Sequence, residues 1–156
     1  MIADLLLAAD GINRTDSGKR TAPSTRNWQE IDIYVVLEDG AFLFDARKNS
    51  LKAIVKQDLR KMTGPQAFVP TAPMNLVFVA DMTKMKGTAP DDQALYAGAD
   101  TGFISQNIYL FCASEGLATV VRGMIGYKKA LAEALKLSED KRIILAQTVG
   151  YPISSL

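Results

Sequence analysis

The stretch MNLVFVAD at Met74–Asp81 constrains the fold more than any other part of the sequence, because it is almost continuously apolar. A run of this length and composition is typical of a strand that is buried on both faces of a sheet. We therefore predict a central strand here, with other strands beside it and helices covering the sheet.

Three shorter patterns upstream predict the neighbouring strands. In IDIYVVL, residues 31–37, the residues Ile31, Ile33 and Val35 alternate with Asp32, Tyr34 and Val36, which is typical of a strand. The turn EDG follows, and AFLFDA and LKAIV then give two more strands separated by RKNS. These segments predict a small antiparallel meander.

Helical patterns and turn residues complete the expected architecture. Residues 1–9 predict a helix that Gly11 ends, and residues 91–115 predict a long helix that begins at Pro90 and ends before Gly116. Residues 12–27 are rich in turn-forming residues and predict a loop. The strand LATVV, a helix over residues 128–137 and the strand RIILAQTVG follow. The sequence thus predicts an α+β fold, a mostly antiparallel sheet flanked by helices, in one domain over residues 1–156.

Composition excludes several classes of chemistry. The chain has no histidine, so it lacks the commonest metal ligand and general base, and its one cysteine, Cys112, excludes an intramolecular disulfide. A formal net charge of +1 argues against a nucleic-acid partner. The N-terminal MIADLLLAADG has no basic region before its short apolar run and is too short to span a bilayer. The expected location is the cytoplasm.

No catalytic set of side chains stands out in the sequence. The pair Asp91 and Asp92 is explained by the first turn of the long helix, where negative charge suits the helix dipole. A glycine-rich phosphate loop of either nucleotide-binding type is absent. This composition favours either a cofactor that carries the reaction itself or a binding module without chemistry.

Two polar segments interrupt the apolar pattern. The first polar segment, residues 23–29, contains hydroxyl and amide groups that match the carbonyl and N–H edge of a planar heterocycle. The second polar segment, residues 121–126, contains Gly123, which lets backbone amides approach a ligand closely. The alternative for the first is a loop that satisfies its own backbone, and for the second a simple turn with Arg122 solvated.

The order of these motifs resembles that of the flavin-dependent nitroreductase family. APSTRNWQ precedes a strand, a long helix ends in LFCASEGLATVVRGMIG, and IILAQTVGYP follows. Within that family the chain is most similar to short members grouped with the azoline-oxidising (SagB-type) dehydrogenases of peptide-toxin maturation. The resemblance covers nearly the whole chain, from LLLAADGINR to Pro152.

The resemblance implies a homodimer that binds FMN at the subunit interface, with NADH or NADPH as reductant and an organic molecule as electron acceptor. The residues that match the family segment lining the isoalloxazine ring are Pro23, Ser24, Thr25, Asn27 and Gln29, with Asn27 on the pyrimidine edge. Arg122, Gly123 and Met124 match the segment whose backbone faces flavin N5 and O4. No catalytic side chain and no metal ligand are implied.

A row of small residues on the long helix agrees with the expected homodimer. Ala94, Gly98 and Gly102 lie four apart on one ridge, where another helix can approach closely. Glycine inside a helix costs roughly 0.5–1 kcal/mol relative to alanine, so something must compensate. A subunit interface is the favoured reason, and ordinary packing within the chain is the alternative.

One departure concerns the FMN phosphate. Family members usually begin with another helix and an arginine-rich loop that grips the phosphate, and this chain starts after it. Either a preceding segment supplies those arginines, or Arg14, Lys19 and Arg20 neutralise the phosphate.

Two function classes are therefore open. The favoured one is an FMN oxidoreductase that reduces nitroaromatic, quinone or similar acceptors, with azoline oxidation on a peptide as its variant. The other is a non-catalytic flavin or ligand binder. The physiological substrate and the choice between NADH and NADPH are not encoded in any recognisable motif.

Overall fold

The apolar segment Met74–Asp81 forms an inner strand of the sheet, as predicted. The computed structural model describes residues 1–153, with the following elements in chain order. The strands are β1 (Ile12–Arg14), β2 (Lys19–Arg20), β3 (Ile31–Leu37), β4 (Gly40–Asp45), β5 (Ser50–Val55), β6 (Met74–Asp81), β7 (Ala118–Arg122) and β8 (Lys141–Gly150). The helices are α1 (Ile2–Asp10), α2 (Pro90–Ser114) and α3 (Lys128–Ala134).

Six strands form one sheet in the order β5-β4-β3-β6-β8-β7, and every neighbouring pair is antiparallel. In the middle of β6, Val77 lies opposite Tyr34 of β3 and Ala146 of β8. The predicted meander is confirmed as β3-β4-β5. The α+β class with an antiparallel sheet and flanking helices is confirmed as well.

Each face of the sheet carries its own apolar layer. On one face, Phe78 packs among side chains of α1 and α2, including Leu5 and Ile108, and all three are at most 1% exposed. On the other face, Val77 packs with Leu131 of α3. Full burial of one such large side chain stabilises the fold by roughly 1.5–3 kcal/mol. The two layers explain why β6 must be apolar on both faces.

The structure corrects two details of the sequence prediction. Residues 12–27 are not simply a loop, because β1 and β2 form a small hairpin and Thr25–Asn27 form one turn of 3-10 helix. Strands of three and two residues are too short to show a periodic pattern. Helix α3 is shorter than predicted, because Lys136 has a positive φ of 57° and cannot continue it.

Candidate functional site

The first polar segment, residues 23–29, has an unusual backbone conformation. Arg26, Asn27 and Gln29 have φ angles of 51°, 57° and 49°, in the left-handed region that is costly for residues other than glycine. The hydroxyl oxygen of Ser24 accepts a hydrogen bond of 3.0 Å from the Gln29 backbone N–H and closes the turn. Strained backbone persists only where surrounding contacts fix it, so this segment needs an anchor.

A buried carboxylate on α2 supplies that anchor. Asp100 is 1% exposed and accepts hydrogen bonds from the Thr25 backbone N–H at 2.8 Å and from the Thr25 hydroxyl at 3.2 Å. The ring of Trp28 lies edge-on to Tyr96 of the same helix, with the ring centroids 6.0 Å apart. The guanidinium of Arg26 lies 5.6 Å from the Trp28 ring centroid. The segment is therefore fixed on the surface of α2.

The half-buried side chain of Gln29 is hydrogen-bonded to neighbouring side chains. Its Nε2 donates to the Asn27 Oδ1 at 3.2 Å, and its Oε1 accepts from the Arg20 Nε at 3.3 Å. Arg20 also forms an ion pair with the buried Asp10. Gln29 therefore shapes the segment, whereas Pro23 and Asn27 are exposed at its surface.

The basic residues considered for phosphate neutralisation are in different situations. Arg20 lies on β2 and is committed to Asp10, so it does not belong to a solvated loop. Arg14 is exposed and donates to the backbone carbonyl of Arg20, and Lys19 is exposed on the same hairpin. The positive charge of Arg20 is therefore already balanced by the carboxylate of Asp10.

An open cleft of about 750 Å³ lies beside the first polar segment. Trp28 and Gln29 line it together with the cationic side chains of Arg20, Arg47 and Lys84. The Lys84 Nζ donates to the Gln29 backbone carbonyl at 2.7 Å, which ties this cation to the segment. An aromatic ring and cations side by side suit a planar ligand that carries an anionic group.

In the second polar segment, the Arg122 side chain points into the protein. It is 5% exposed and donates to the Thr63 carbonyl at 2.7 Å and to the Asn75 Oδ1 at 3.0 Å. The alternative of a simple turn with Arg122 solvated is therefore wrong, and burial lowers the pKa of its guanidinium. A Cβ on Gly64 would lie 1.9 Å from the Arg122 Nη1, so Gly64 gives the guanidinium its space.

Gly123 and Met124 are exposed, in contrast to Arg122. A Cβ added at Gly123 would meet only the Leu145 Cδ2, at an ordinary contact distance of 3.7 Å. No steric need within the described part of the chain therefore requires glycine here. The Met124 side chain is 68% exposed, which is unusual for an apolar residue.

The two polar segments do not meet within one copy of the chain. The first contacts α2 at Asp100, whereas the second follows β7, where the Val121 N–H donates to the Tyr109 hydroxyl at 2.9 Å. These two helix positions are about 14 Å apart along the axis. The structure thus brings together Ser24, Thr25, Asn27 and Gln29 at one end and Gly123 and Met124 at the other.

An apolar stripe on α2 runs between the two segments. Leu95, Phe103 and Leu110 are 64%, 48% and 62% exposed, and they lie on one face of the helix. A Cβ added at Gly98 or Gly102 would meet no atom within 4 Å. Packing within the described chain therefore does not explain the predicted ridge of small residues.

Sequence reasoning missed three buried carboxylic residues behind the first polar segment. Asp10, Glu30 and Asp100 are at most 4% exposed. Asp100 is an isolated acidic residue within an otherwise apolar stretch of α2, and that isolation is the signal that could have revealed it. Its partner Thr25 is 75 residues away in the sequence, so no local pattern connects them.

Within residues 1–153, no group of acidic residues and cysteine is arranged to hold a metal ion. Nor is any helix of this described part long and apolar enough to cross a membrane. Cys112 belongs to α2 and is buried in the apolar layer between that helix and the sheet.

The sequence matches the profile of the nitroreductase family over residues 1–151. A solved structure of a nitroreductase candidate from Ralstonia eutropha superposes with a TM-score of 0.92 and 42% identity, over 99% of this chain and 73% of that one. The microcin synthetase complex of E. coli has the same fold, with a TM-score of 0.85 at 16% identity, over 98% of this chain and 63% of that one.

Two curated relatives agree with the profile. A nitroreductase candidate of Methanocaldococcus jannaschii is 27% identical over 92% of this chain and 77% of its own length. The NADPH-flavin oxidoreductase of Vibrio harveyi is 30% identical over 62% of this chain, and the match spans 43% of that relative. The chain belongs to the nitroreductase family of oxidoreductases.

Proposed function

We propose that the protein is an FMN-dependent oxidoreductase that uses NADH or NADPH to reduce nitroaromatic, quinone or similar organic acceptors. In this proposal residues 1–156 form one flavin-binding domain of a cytoplasmic homodimer, with the flavin at the subunit interface. FMN, when bound, supplies the hydride transfer. The cysteine and the described carboxylic residues then need no part in the chemistry.

The observation that carries the proposal is the placement of the two polar segments on opposite sides of the apolar stripe of α2. A single copy leaves Asn27, Gly123 and Leu110 exposed, and the two polar segments contact α2 at positions about 14 Å apart along its axis. A second copy packed on the stripe would cover it and would add its own polar segments to those of the first. A site shared by two copies accounts for both the separation and the exposure.

The donor set fits a flavin. The exposed amide of Asn27 matches a ring edge that carries carbonyl and N–H groups, with Pro23, Ser24, Thr25 and Gln29 shaping the same segment. Backbone amides at Gly123 and Met124 are reachable because no side chain covers them. An amide aimed at developing negative charge stabilises it without reorganisation, as in an oxyanion hole. Arg122 takes part through its backbone, since its side chain is committed elsewhere.

The absorbance spectrum of the purified protein tests this function. We expect a yellow protein, or one that becomes yellow with added FMN, whose visible absorbance is bleached by NADH or NADPH without oxygen. Addition of a quinone should restore the colour. A protein that takes up FMN but is not bleached would instead support the non-catalytic binder.

Azoline oxidation on a peptide is the second candidate function. It is supported by the fold shared with the microcin synthetase complex, which was solved with truncated pro-MccB17 bound. An apolar groove of about 530 Å³, lined by Phe68, Val120 and Tyr151 among others, offers room for a peptide beside β7. Oxidation of an azoline-containing peptide by the flavin-loaded protein, measured by mass loss of two hydrogens, distinguishes this candidate from a quinone reductase.

A further inference from the structure

Three carboxylic side chains surround a very small cavity behind the first polar segment. Asp10, Glu30 and Asp100 are 4%, 0% and 1% exposed, and all three line a cavity of about 10 Å³ together with Ser24 and Gln29 of the segment. A cavity of this size holds at most one water molecule. Carboxylic groups so deeply buried need partners, and their partners differ.

Two of the three carboxyl groups have donors. Asp10 is paired with the guanidinium of Arg20, and Asp100 accepts two hydrogen bonds from Thr25. Both carboxyl oxygens of Glu30 are buried and have no hydrogen-bond partner among the described residues. Glu30 and Asp100 line the same cavity of about 10 Å³, so the two carboxyl side chains are neighbours.

A carboxylate without donors is strongly disfavoured in the protein interior, so Glu30 must carry a proton. A protonated carboxyl is a donor, and the Asp100 carboxyl, which lines the same cavity, is the acceptor available to it. Asp100 is then the acceptor of the pair, because it already accepts hydrogen bonds from the N–H and the hydroxyl of Thr25.

We propose that Glu30 is a positioning residue for the first polar segment: its O–H donates to Asp100, and the Asp100 carboxylate so held fixes Thr25 and the strained backbone that follows. The proposal rests on the proposed function only in that this segment is proposed to line the flavin. Glu30 itself touches no proposed ligand, so it acts through Asp100 and Thr25.

Ionisation of Glu30 would place a second negative charge against Asp100. The charged groups that face this pair are Lys84, which lies just after β6, and the Asp10–Arg20 ion pair between α1 and β2. Lys84 is exposed and already donates to the Gln29 carbonyl, so it offers Glu30 only weak compensation. Burial, above all, together with Asp100 raises the pKa of Glu30 to about 7. The segment should therefore loosen as the pH rises through neutrality.

The fluorescence of Trp28 can report the ionisation of Glu30 and the loosening of the first polar segment. Trp28 is the one tryptophan of the chain, and it lies in that segment against Tyr96. We expect the Trp28 fluorescence of the flavin-free protein to change between pH 5.5 and 8.5 with a midpoint near 7, while far-UV circular dichroism stays constant. Glu30→Gln keeps a donor to Asp100 but cannot ionise. It should hold the acid-form fluorescence across the whole range.

Asp10→Asn is the matched control, since Asp10 is a buried carboxyl of the same cavity that does not contact Thr25. The variant should retain the transition. The proposal is overturned if Glu30→Gln keeps the wild-type change in fluorescence with pH, whether or not Asp10→Asn loses it.

Direct titration of the wild-type protein covers the case in which Glu30→Gln does not fold. The chain has five glutamates, and the four others are exposed. With glutamate labelled by ¹³C at the carboxyl carbon, one of five signals should titrate near pH 7. Five signals that all titrate near the ordinary pKa of 4.5 would contradict the proposal. Both measurements use protein without flavin, so their failure is distinct from a failure to bind or reduce FMN.

Discussion

At the scale of single residues, the buried guanidinium of Arg122 leaves no room for a side chain at Gly64. A Cβ at Gly64 would lie 1.9 Å from the Arg122 Nη1 and 2.6 Å from the Gln66 Oε1. We expect Gly64→Ala to lower the free energy of unfolding by about 1–3 kcal/mol, as overpacking of an interior does. Urea unfolding measures this, with Gly126→Ala as the control, because a Cβ there meets nothing within 4 Å. Equal stability of the two variants would contradict the account of Arg122.

Asn27 carries the residue-scale prediction for the ligand. If its amide binds the flavin ring, Asn27→Ala should weaken FMN binding by about 1–3 kcal/mol, the cost of leaving a buried polar group of the ring unpaired. Titration of FMN by absorbance or fluorescence quenching gives the dissociation constant. Gln57→Ala is the control, because Gln57 is an exposed amide that follows β5 and lies in neither polar segment. Unchanged affinity in Asn27→Ala would remove Asn27 from the site.

At the scale of elements, α2 organises both the fold and the candidate site. Its buried face covers the sheet, Asp100 and Tyr109 hold the two polar segments, and its apolar stripe is free in one copy. We expect a homodimer, and Gly98→Leu should shift it towards monomers with reduced flavin content, because the added side chain would prevent close approach. Ala130→Leu, at an exposed position of α3 on the other face of the sheet, should leave the dimer intact. Analytical ultracentrifugation distinguishes these outcomes, and a wild-type monomer that binds flavin would refute the shared site.

At the scale of the whole molecule, buried carboxyl groups set the dependence of stability on pH. Burial raises the pKa of Asp10 and of Glu30 to about 7, from ordinary values of 3.8 and 4.5. Such groups bind more protons in the folded state, so their stabilising contribution is complete below the ordinary values and is lost as the pH rises towards 7. We expect the free energy of unfolding to fall between about pH 4.5 and 7 and then to level off. Urea unfolding at several pH values tests this, and a flat profile across that range would contradict it.

The global pattern of the fold was predictable, whereas the contacts of the site were not. The alternation in β3, the apolar run of β6 and the bounds of α2 follow from periodicity and from proline and glycine positions. The hairpin of β1 and β2 was missed because such short strands have no period. Likewise, the inward turn of Arg122 depends on partners 47 to 59 residues away, and a sequence pattern does not record such contacts.

The position of β8 in the sheet has a consequence for how the protein is synthesised. β8 lies between β6 and β7, although it is the last of the eight strands to leave the ribosome. Until residues 141–150 emerge, β7 lacks its ladder partner and one edge of the apolar β6 stays unpaired. An open apolar edge of this kind invites pairing with other chains. The nascent protein therefore passes through an aggregation-prone stage that ends only when β8 is inserted, and chaperone binding during translation should concentrate on that stage.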